Sequence, residues 1–127
     1  MSFTNAFETT VLQFALTTTS VTRPTNWYIA LFTSDPTETG AAGTEVTGGS
    51  YARTAVTFSV SGNLGTNSGA VEFPACTADW GTITHLGVMD ASSSGNMLVH
   101  AALTTSKVIA VGDVFRIPTG DLDITLD

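Results

Sequence analysis

The segment from Trp27 to Phe32, Trp-Tyr-Ile-Ala-Leu-Phe, is apolar at every position and constrains the fold more than any other part of the chain. Side chains alternate between the two faces of a strand, so an unbroken apolar run predicts a strand that is buried on both faces. A polar loop rich in glycine and threonine, residues 34–50, follows before strand-like sequence resumes. A buried strand that leads into a long polar loop is typical of a scaffold that presents a contact surface.

Beyond this loop, apolar and polar residues alternate in short runs separated by turn residues, which indicates antiparallel strands. Residues 83–89 and 97–103 are predicted to pair as a hairpin. In the last run, Leu122, Ile124 and Leu126 are predicted to face a core, while the aspartates between and after them face outward. We expect about six to eight strands, arranged as an antiparallel β-sandwich or barrel.

A helical pattern occurs at the N-terminus, over residues 5–17. Asn5 is followed three residues later by Glu8, which is the spacing of a capping box, so Asn5 is predicted to be the N-cap. Apolar residues recur at helical spacing from Phe7 to Leu16. The sequence therefore predicts a mainly β protein with one short N-terminal α-helix of about three turns, docked against one end or face of the β structure.

The composition describes a single domain, residues 1–127, with little charge: 43% of the residues are hydrophobic and only 12% are charged. The net charge is -7, and the four cations, Arg23, Arg53, Lys107 and Arg116, are scattered. Four scattered cations cannot form a stripe along a phosphate backbone or an anionic bilayer, so we expect neither a nucleic-acid nor a membrane partner. A neutral polar surface instead fits contact with other proteins.

No targeting segment is recognised at the N-terminus, because no Lys or Arg precedes Arg23 and polar residues interrupt its apolar positions. No apolar run reaches the roughly 20 residues of a membrane span. Cys76 is the only cysteine, so an intrachain disulfide is impossible. We therefore expect a soluble protein made in the cytoplasm.

The residues that could carry chemistry do not form a recognisable catalytic or metal-binding set. His85 and His100 lie in predicted strands and are expected to be packed or solvent-facing strand residues. Cys76 lies among small residues and is expected to be buried. Asp121 and Asp123 are alternate residues on one strand face, about 6.6 Å apart, and Asp127 lies further along, so they are too far apart to hold one small ion unless a loop adds oxygens. We expect no enzyme activity, no cofactor and no metal.

Several segments, in the same order, resemble small virion proteins of tailed bacteriophages that are commonly labelled phage tail-fibre protein. These segments cover nearly the whole chain and comprise residues 23–36, 44–53, 80–90, 103–107 and 112–118. The resemblance implies a structural, non-enzymatic role in a virion, whose partners would be the major capsid protein or tail proteins. It also implies a homo-oligomer, for which a trimer is one possible form.

The compact size favours a capsid decoration (cement) protein that stabilises the head, because the chain has neither the repeats nor the heptads of a long fibre shaft. Contacts are predicted to come from the loop 34–50, from the residues that follow it, and from the tip of the hairpin at residues 91–96. The predicted interface residues are Asp35, Pro36, Thr37, Glu38, Glu45, Tyr51, Arg53, Ser93 and Asn96.

Three alternatives remain open from the sequence. The protein could be a tail-fibre or tail-tip module instead of a head protein. It could also be a carbohydrate-binding β-sandwich, which would require two or three exposed coplanar aromatic side chains; Trp27 and Trp80 lie in apolar contexts and are expected in the core. Finally, Tyr51 and Arg53 could simply open a strand, with Arg53 paired to Glu45 or Asp35.

Overall fold

The computed structural model describes residues 1–126 and has a mainly β architecture with one short helix. In chain order the elements are β1 Ser2–Phe3, α1 Asn5–Leu16, β2 Tyr28–Phe32, β3 Thr54–Ala55, β4 Phe58–Ser61, β5 Leu64–Asn67, β6 Val71–Glu72, β7 Gly81–Met89, β8 Met97–Ile109, β9 Arg116–Ile117 and β10 Asp123–Thr125. The pairings between these strands are antiparallel. The predicted fold class is therefore confirmed.

The largest sheet has five strands in the order β1-β8-β7-β2-β3. Ile29 and Leu31 of β2 point into the larger core, whereas Ala30 and Phe32 point to the opposite face. All four side chains are buried, as a strand covered on both faces requires. The two-sided burial predicted for this strand is confirmed.

Two smaller sheets complete the larger core. Side chains of the three-stranded sheet β10-β5-β4, among them Phe58 and Ile124, pack against it, and the two-stranded sheet β6-β9 contributes Val71 and Ile117. The core thus lies between the five-stranded sheet and the two smaller ones, as in a sandwich. Cys76 is buried in this core, as predicted.

The strands number ten among residues 1–126, more than the six to eight predicted. Four of them, β1, β3, β6 and β9, are only two residues long, too short to show an alternating pattern. The segment from residue 54 to residue 61 contributes short strands to two different sheets. Thr54–Ala55 pairs with β2, whereas Phe58–Ser61 pairs with β5 in the three-stranded sheet.

The predicted hairpin is present: β7 and β8 pair through most of their length. β8 continues to Ile109, six residues beyond the predicted end, after a register irregularity opposite residues 83–85. Gly87 sits in β7 where an added Cβ would collide with the side chain of Met97. Glycine at this position therefore leaves room for the side chain of Met97.

Helix α1 begins at Asn5, the first residue of the predicted helix, but its N-cap is Thr4 and not Asn5. The Thr4 hydroxyl accepts a hydrogen bond from the backbone N–H of Phe7 (3.4 Å) and donates one to the carbonyl of Met97 (2.8 Å). Thr4 is buried, and this bond to β8 places its side chain at the helix start. The helix end at Leu16 agrees with the prediction to within one residue.

The helix is docked only near its N-terminus. The ring of Phe7 packs edge-on against Phe3 of β1, with ring centroids 5.0 Å apart, whereas Leu12, Phe14 and Leu16 are exposed. No helix within residues 1–126 is long and apolar enough to cross a membrane.

The C-terminal strand β10 is shorter than the predicted alternating run. Leu122 is buried and Ile124 is half-buried against the core, but Leu126 is exposed, which corrects the prediction that all three face inward. Strand pairing with β5 ends at Thr125, and the backbone N–H of Leu126 donates to the carbonyl of Asn63 in the β4–β5 turn (3.0 Å). Asp127, predicted to face outward, lies outside the described residues.

Candidate functional site

The predicted contact loop, residues 34–50, folds back against the body of the protein. The side chain of Pro36 is fully buried, and the carbonyl of Glu38 accepts a hydrogen bond from the backbone N–H of Asn5 (2.9 Å). This contact joins the loop to the start of helix α1. Pro36 is therefore a correction to the predicted interface, because its side chain has no surface to offer a partner.

The same loop leaves Asp35, Thr37 and Glu38 exposed. Asp35 Oδ1 accepts a hydrogen bond from the backbone N–H of Thr37 (2.8 Å), and Thr37 adopts a positive φ of 61°. An aspartate that bonds to the backbone two residues ahead stabilises a tight turn. These three polar side chains are thus held in a turn of defined shape.

The two histidines face the acidic side chains of this loop. His100 Nε2 lies 3.2 Å from Glu38 Oε1, within ion-pair range but in a geometry that forms no hydrogen bond. His85 Nε2 lies 3.9 Å from Asp35 Oδ1. Within residues 1–126, no group of three or more His, Cys, Asp or Glu side chains is arranged to hold a metal ion. These distances place the acidic side chains of the loop beside strands β7 and β8.

A second polar cluster, which we call the Arg53 clamp, consists of Glu45, Tyr51 and Arg53. Arg53 grips Glu45 with two hydrogen bonds, from Nε to Oε2 (2.8 Å) and from Nη2 to Oε1 (2.7 Å). The Tyr51 hydroxyl donates to Glu45 Oε2 (2.7 Å) and accepts from the backbone N–H of Leu31 (3.0 Å). Bidentate bonds between a guanidinium and a carboxylate are strong and directional, so the clamp fixes this segment to β2.

The remaining terminal nitrogen of Arg53 holds the loop between β7 and β8. Its Nη1 donates to the carbonyls of Ala91 (3.0 Å) and Ser94 (2.7 Å). Within that loop, Asp90 Oδ1 accepts a hydrogen bond from the backbone N–H of Asn96 (2.7 Å). The predicted interface residues that belong to the clamp or lie on the loop it holds are Glu45, Tyr51, Arg53, Ser93 and Asn96.

The environment of the clamp determines its charge state. Burial raises the pKa of Glu45, but hydrogen bonds from Arg53 and Tyr51 outweigh it, and the net shift is downward. Burial is the main cause that raises the pKa of the Tyr51 hydroxyl, while the hydrogen bond to Glu45 raises the pKa of Arg53. At neutral pH the cluster is a carboxylate held by a guanidinium and a neutral phenol. Each polar group already has a partner, so the cluster holds the chain in place.

Sequence reasoning identified the three clamp residues and, as one alternative, the pairing of Arg53 with Glu45, which the structure shows. It missed the acceptors on the hairpin loop, because they are main-chain carbonyls of Ala91 and Ser94 and any residue type could supply them. The sequence offered one indication that Arg53 binds a loop, namely its position after a glycine-rich segment. That position does not indicate which carbonyl groups accept its hydrogen bonds.

The two tryptophans do not form an exposed platform. Trp80 is buried, and its Nε1 donates to the carbonyl of Gly49 (2.9 Å). Its ring packs edge-on against Tyr51 and Phe73, with centroids 5.4 and 6.3 Å away. Trp27 is half-buried and packs against the larger core. Trp80 thus occupies the core position predicted for it, whereas Trp27 lies at the edge of the core and is only partly buried.

We expect Glu45→Gln to lower the free energy of unfolding by about 2 kcal/mol at pH 7, because the guanidinium loses its charged partner. The pKa of Glu45 is lower in the folded protein than in the unfolded chain. The stability it contributes is therefore complete above about pH 5 and is lost as the pH falls through the folded pKa. Wild type should lose stability more steeply than the variant in this acidic range, as measured by urea unfolding at several pH values.

Glu72→Gln is the matched control, because Glu72 is exposed and forms no ion pair within residues 1–126. It should retain the pH dependence of the wild-type protein. Identical acid slopes for Glu45→Gln and wild type would contradict the role assigned to the clamp.

Fold and site together define a small antiparallel β protein whose polar clusters hold its loops in fixed positions. The family model described as podophage GP4 fiber I protein gp80 matches residues 2–125. The chain therefore belongs to this family of phage fibre proteins, and its resemblance to tail-fibre-type virion proteins is confirmed. A fibre protein is a structural part of the virion and associates with other virion proteins. Among curated proteins, no match to the chain is found.

Proposed function

We propose that this chain is a non-enzymatic structural subunit of a podophage fibre and that it works by binding other virion proteins. The observation that carries the proposal is the family match, which extends over residues 2–125 and names a fiber protein. Between the two locations considered from the sequence, this description favours a fibre over a decoration of the capsid. A compact domain without repeats can serve as one module of a fibre or of its attachment point.

The geometry supports a role in protein contacts. The Arg53 clamp fixes two loops relative to β2, and the turn at Asp35 presents exposed side chains from a fixed backbone. Rigid loops lose less conformational entropy when a partner binds, so more of the contact energy is retained as affinity. The accessible residues proposed to meet virion partners are Asp35, Thr37, Glu38, Ser93 and Asn96.

A reconstruction of the intact virion at side-chain resolution tests this function. We expect density that fits residues 2–125 of this fold within a fibre, with the exposed turn and the hairpin loop against a neighbouring virion protein. Density at repeated positions on the capsid, and none in a fibre, would show a decoration protein and overturn the proposal.

A further inference from the structure

Strand β4 forms one edge of the three-stranded sheet, and its outer side pairs with no strand within residues 1–126. Hydrogen-bonded and non-hydrogen-bonded residue pairs alternate along an antiparallel ladder. The carbonyl of Thr57 accepts a hydrogen bond from the backbone N–H of Ser68 (2.9 Å), so Phe58 and Val60 occupy non-hydrogen-bonded positions opposite β5. The N–H and C=O groups of Phe58 and Val60 therefore point away from β5, where no described strand pairs with them.

This edge lacks the features that normally protect a free strand. Natural sheets guard their edges with charged side chains or proline. The opposite edge of the same sheet follows this rule, because Asp123 of β10 and Asp121 just before it are exposed acidic residues. Residues 54–71, which include β4 and β5, contain neither a charged residue nor a proline. The β4 edge is therefore open to pairing with another strand.

An apolar groove of about 470 Å³ lies beside β4, with walls from both sides of the sandwich. Phe58 and Val60 line the groove from β4, and Phe3 of β1 and Val99 of β8 line it from the five-stranded sheet. None of the residues that line it is charged. Val60 is 77% exposed, so the groove is open to solvent at β4. The groove thus suits apolar side chains from a segment that brings no charge with it.

A glycine leaves space on the inner face of the three-stranded sheet. Val60 pairs with Gly65 of β5, which pairs in turn with Ile124 of β10, and all three residues line the groove. A Cβ added at Gly65 would meet one neighbouring atom within 4 Å, the carbonyl oxygen of Ile124 at 3.7 Å, which is an ordinary contact. The space between Val60 and Ile124 is therefore unfilled, and a side chain at position 65 would occupy it without a clash.

These features specify the conformation and the chemistry of a partner. A segment that forms hydrogen bonds with Phe58 and Val60 must be extended, and the residues paired with them place their side chains on the same face, in the groove. Such a segment alternates apolar with polar residues and is uncharged. A second copy of this chain does not offer one. The two longest stretches outside its helix and strands, within residues 1–126, are residues 17–27, with Val21 as the one aliphatic residue, and residues 33–53, which the Arg53 clamp fixes.

We propose that the β4 edge and its groove bind an extended, uncharged segment of another virion protein, which adds an antiparallel strand beside β4. The main-chain hydrogen bonds to Phe58 and Val60 supply affinity, and the alternate side chains in the groove supply specificity. The partner's place in the virion rests on the proposed function. Strand addition itself is tested with the purified chain and a peptide, so its failure would be distinct from failure to find the protein in a fibre.

Isothermal titration calorimetry of the full chain with a capped seven-residue peptide that alternates threonine and valine tests strand addition. We expect saturable binding with a Kd below about 1 mM. Val60→Pro removes the outward N–H of residue 60 but none of the hydrogen bonds to β5, and proline is tolerated at such an edge position. Gly65→Val leaves the edge intact and fills the groove. Each variant should raise the Kd at least about tenfold.

Val60→Thr is the matched control, because it keeps the N–H and a branched side chain, and its Kd should stay within about threefold of the wild-type value. The same peptide N-methylated at its valines keeps its side chains but loses the N–H groups that face β4, so it should not bind measurably. Circular dichroism should show that the variants are folded. If Val60→Pro does not fold, Gly65→Val and the N-methylated peptide decide the result.

Absence of peptide binding at about 1 mM would overturn the proposal. Equal binding of the N-methylated peptide would overturn it too, because the groove would then bind side chains without strand pairing. Wild-type Kd values for folded Val60→Pro and Gly65→Val would place the binding elsewhere on the protein and contradict the assignment. Wild-type dimers that Val60→Pro dissociates would assign the edge to a second copy, which would likewise contradict a partner from another virion protein.

Discussion

Replacing Gly49 by alanine is expected to lower the free energy of unfolding by about 4 kcal/mol, a large part of the stability of a domain this size. Gly49 has a φ of +59°, which costs any residue with a Cβ roughly 1–2 kcal/mol. The added Cβ would also overlap the carbonyl oxygen of Ala78 and lie 2.8 Å from Trp80 Nε1. Relief of that clash would break the hydrogen bond from Trp80 to the Gly49 carbonyl. Urea unfolding followed by tryptophan fluorescence measures the loss.

The neighbouring residue offers a control for Gly49→Ala. Gly48 also has a positive φ, +74°, but an added Cβ there would meet no atom within 4 Å. Gly48→Ala should therefore cost only about 1 kcal/mol, the backbone contribution alone. Equal losses at the two glycines would show that crowding against Trp80 does not determine the effect.

Replacing Asn67 by leucine is expected to lower the free energy of unfolding by about 3 kcal/mol. The Asn67 side chain is fully buried and makes three hydrogen bonds: Nδ2 donates to the carbonyls of Gly69 (2.8 Å) and Pro118 (2.9 Å), and Oδ1 accepts from the backbone N–H of Leu122 (2.9 Å). Leucine would leave these buried main-chain groups without partners, and each such group costs about 1–3 kcal/mol. Amide hydrogen exchange should show the largest loss of protection in β10.

Two further variants test the reason for this loss. Asn67→Asp keeps the acceptor for Leu122 but places a carboxylate beside two carbonyl oxygens, so it should destabilise at least as much as leucine at pH 7. Asn63 is exposed in the β4–β5 turn, and Asn63→Ala should change stability by no more than about 0.5 kcal/mol. An Asn67→Leu protein with wild-type stability would show that the buried hydrogen bonds contribute nothing net.

Both substitutions act on the framework that presents the candidate interface. The Gly49 carbonyl holds Trp80, whose ring packs against Tyr51 of the Arg53 clamp. Asn67 holds the segment that leads into β10 and ends at Leu126, beside helix α1. We therefore expect Gly49→Ala to disturb the loops proposed to meet virion partners, and Asn67→Leu to disturb the pairing of β10 with β5.

Local patterns predicted the elements that depend on neighbouring residues. The apolar run at β2, the hairpin of β7 and β8, and the helix ending near Leu16 follow from periodicity within about a dozen residues. The burial of Cys76 also followed from its small apolar neighbours. The same reasoning predicted too few β strands. Two-residue strands such as β3 and β9 are defined by the strands they pair with and are too short to show a periodic pattern.

In two places the sequence offered two residues that could play the same role. Contacts with segments distant in sequence determined which of the two does so. Thr4 and Asn5 are both good N-caps, and the carbonyl of Met97 selects Thr4. Arg53 could pair with Asp35 or Glu45, and the isolated bridge between Phe32 and Glu45 beside β2 brings Glu45 within reach. Pro36, predicted to be accessible, is covered because its loop returns to the body of the protein.

The antiparallel β class, the single helix, the low content of charged residues and the membership of a phage fibre family could all be established from the amino-acid sequence. These properties follow from composition, local periodicity and ordered motifs, which can be observed without coordinates. Three features became visible only in the folded protein: Arg53 joins two loops, Asn67 holds β10, and the end of helix α1 is exposed. The physical reason is that hydrogen-bond geometry and burial are set by segments that lie far apart in sequence and meet only when the chain folds.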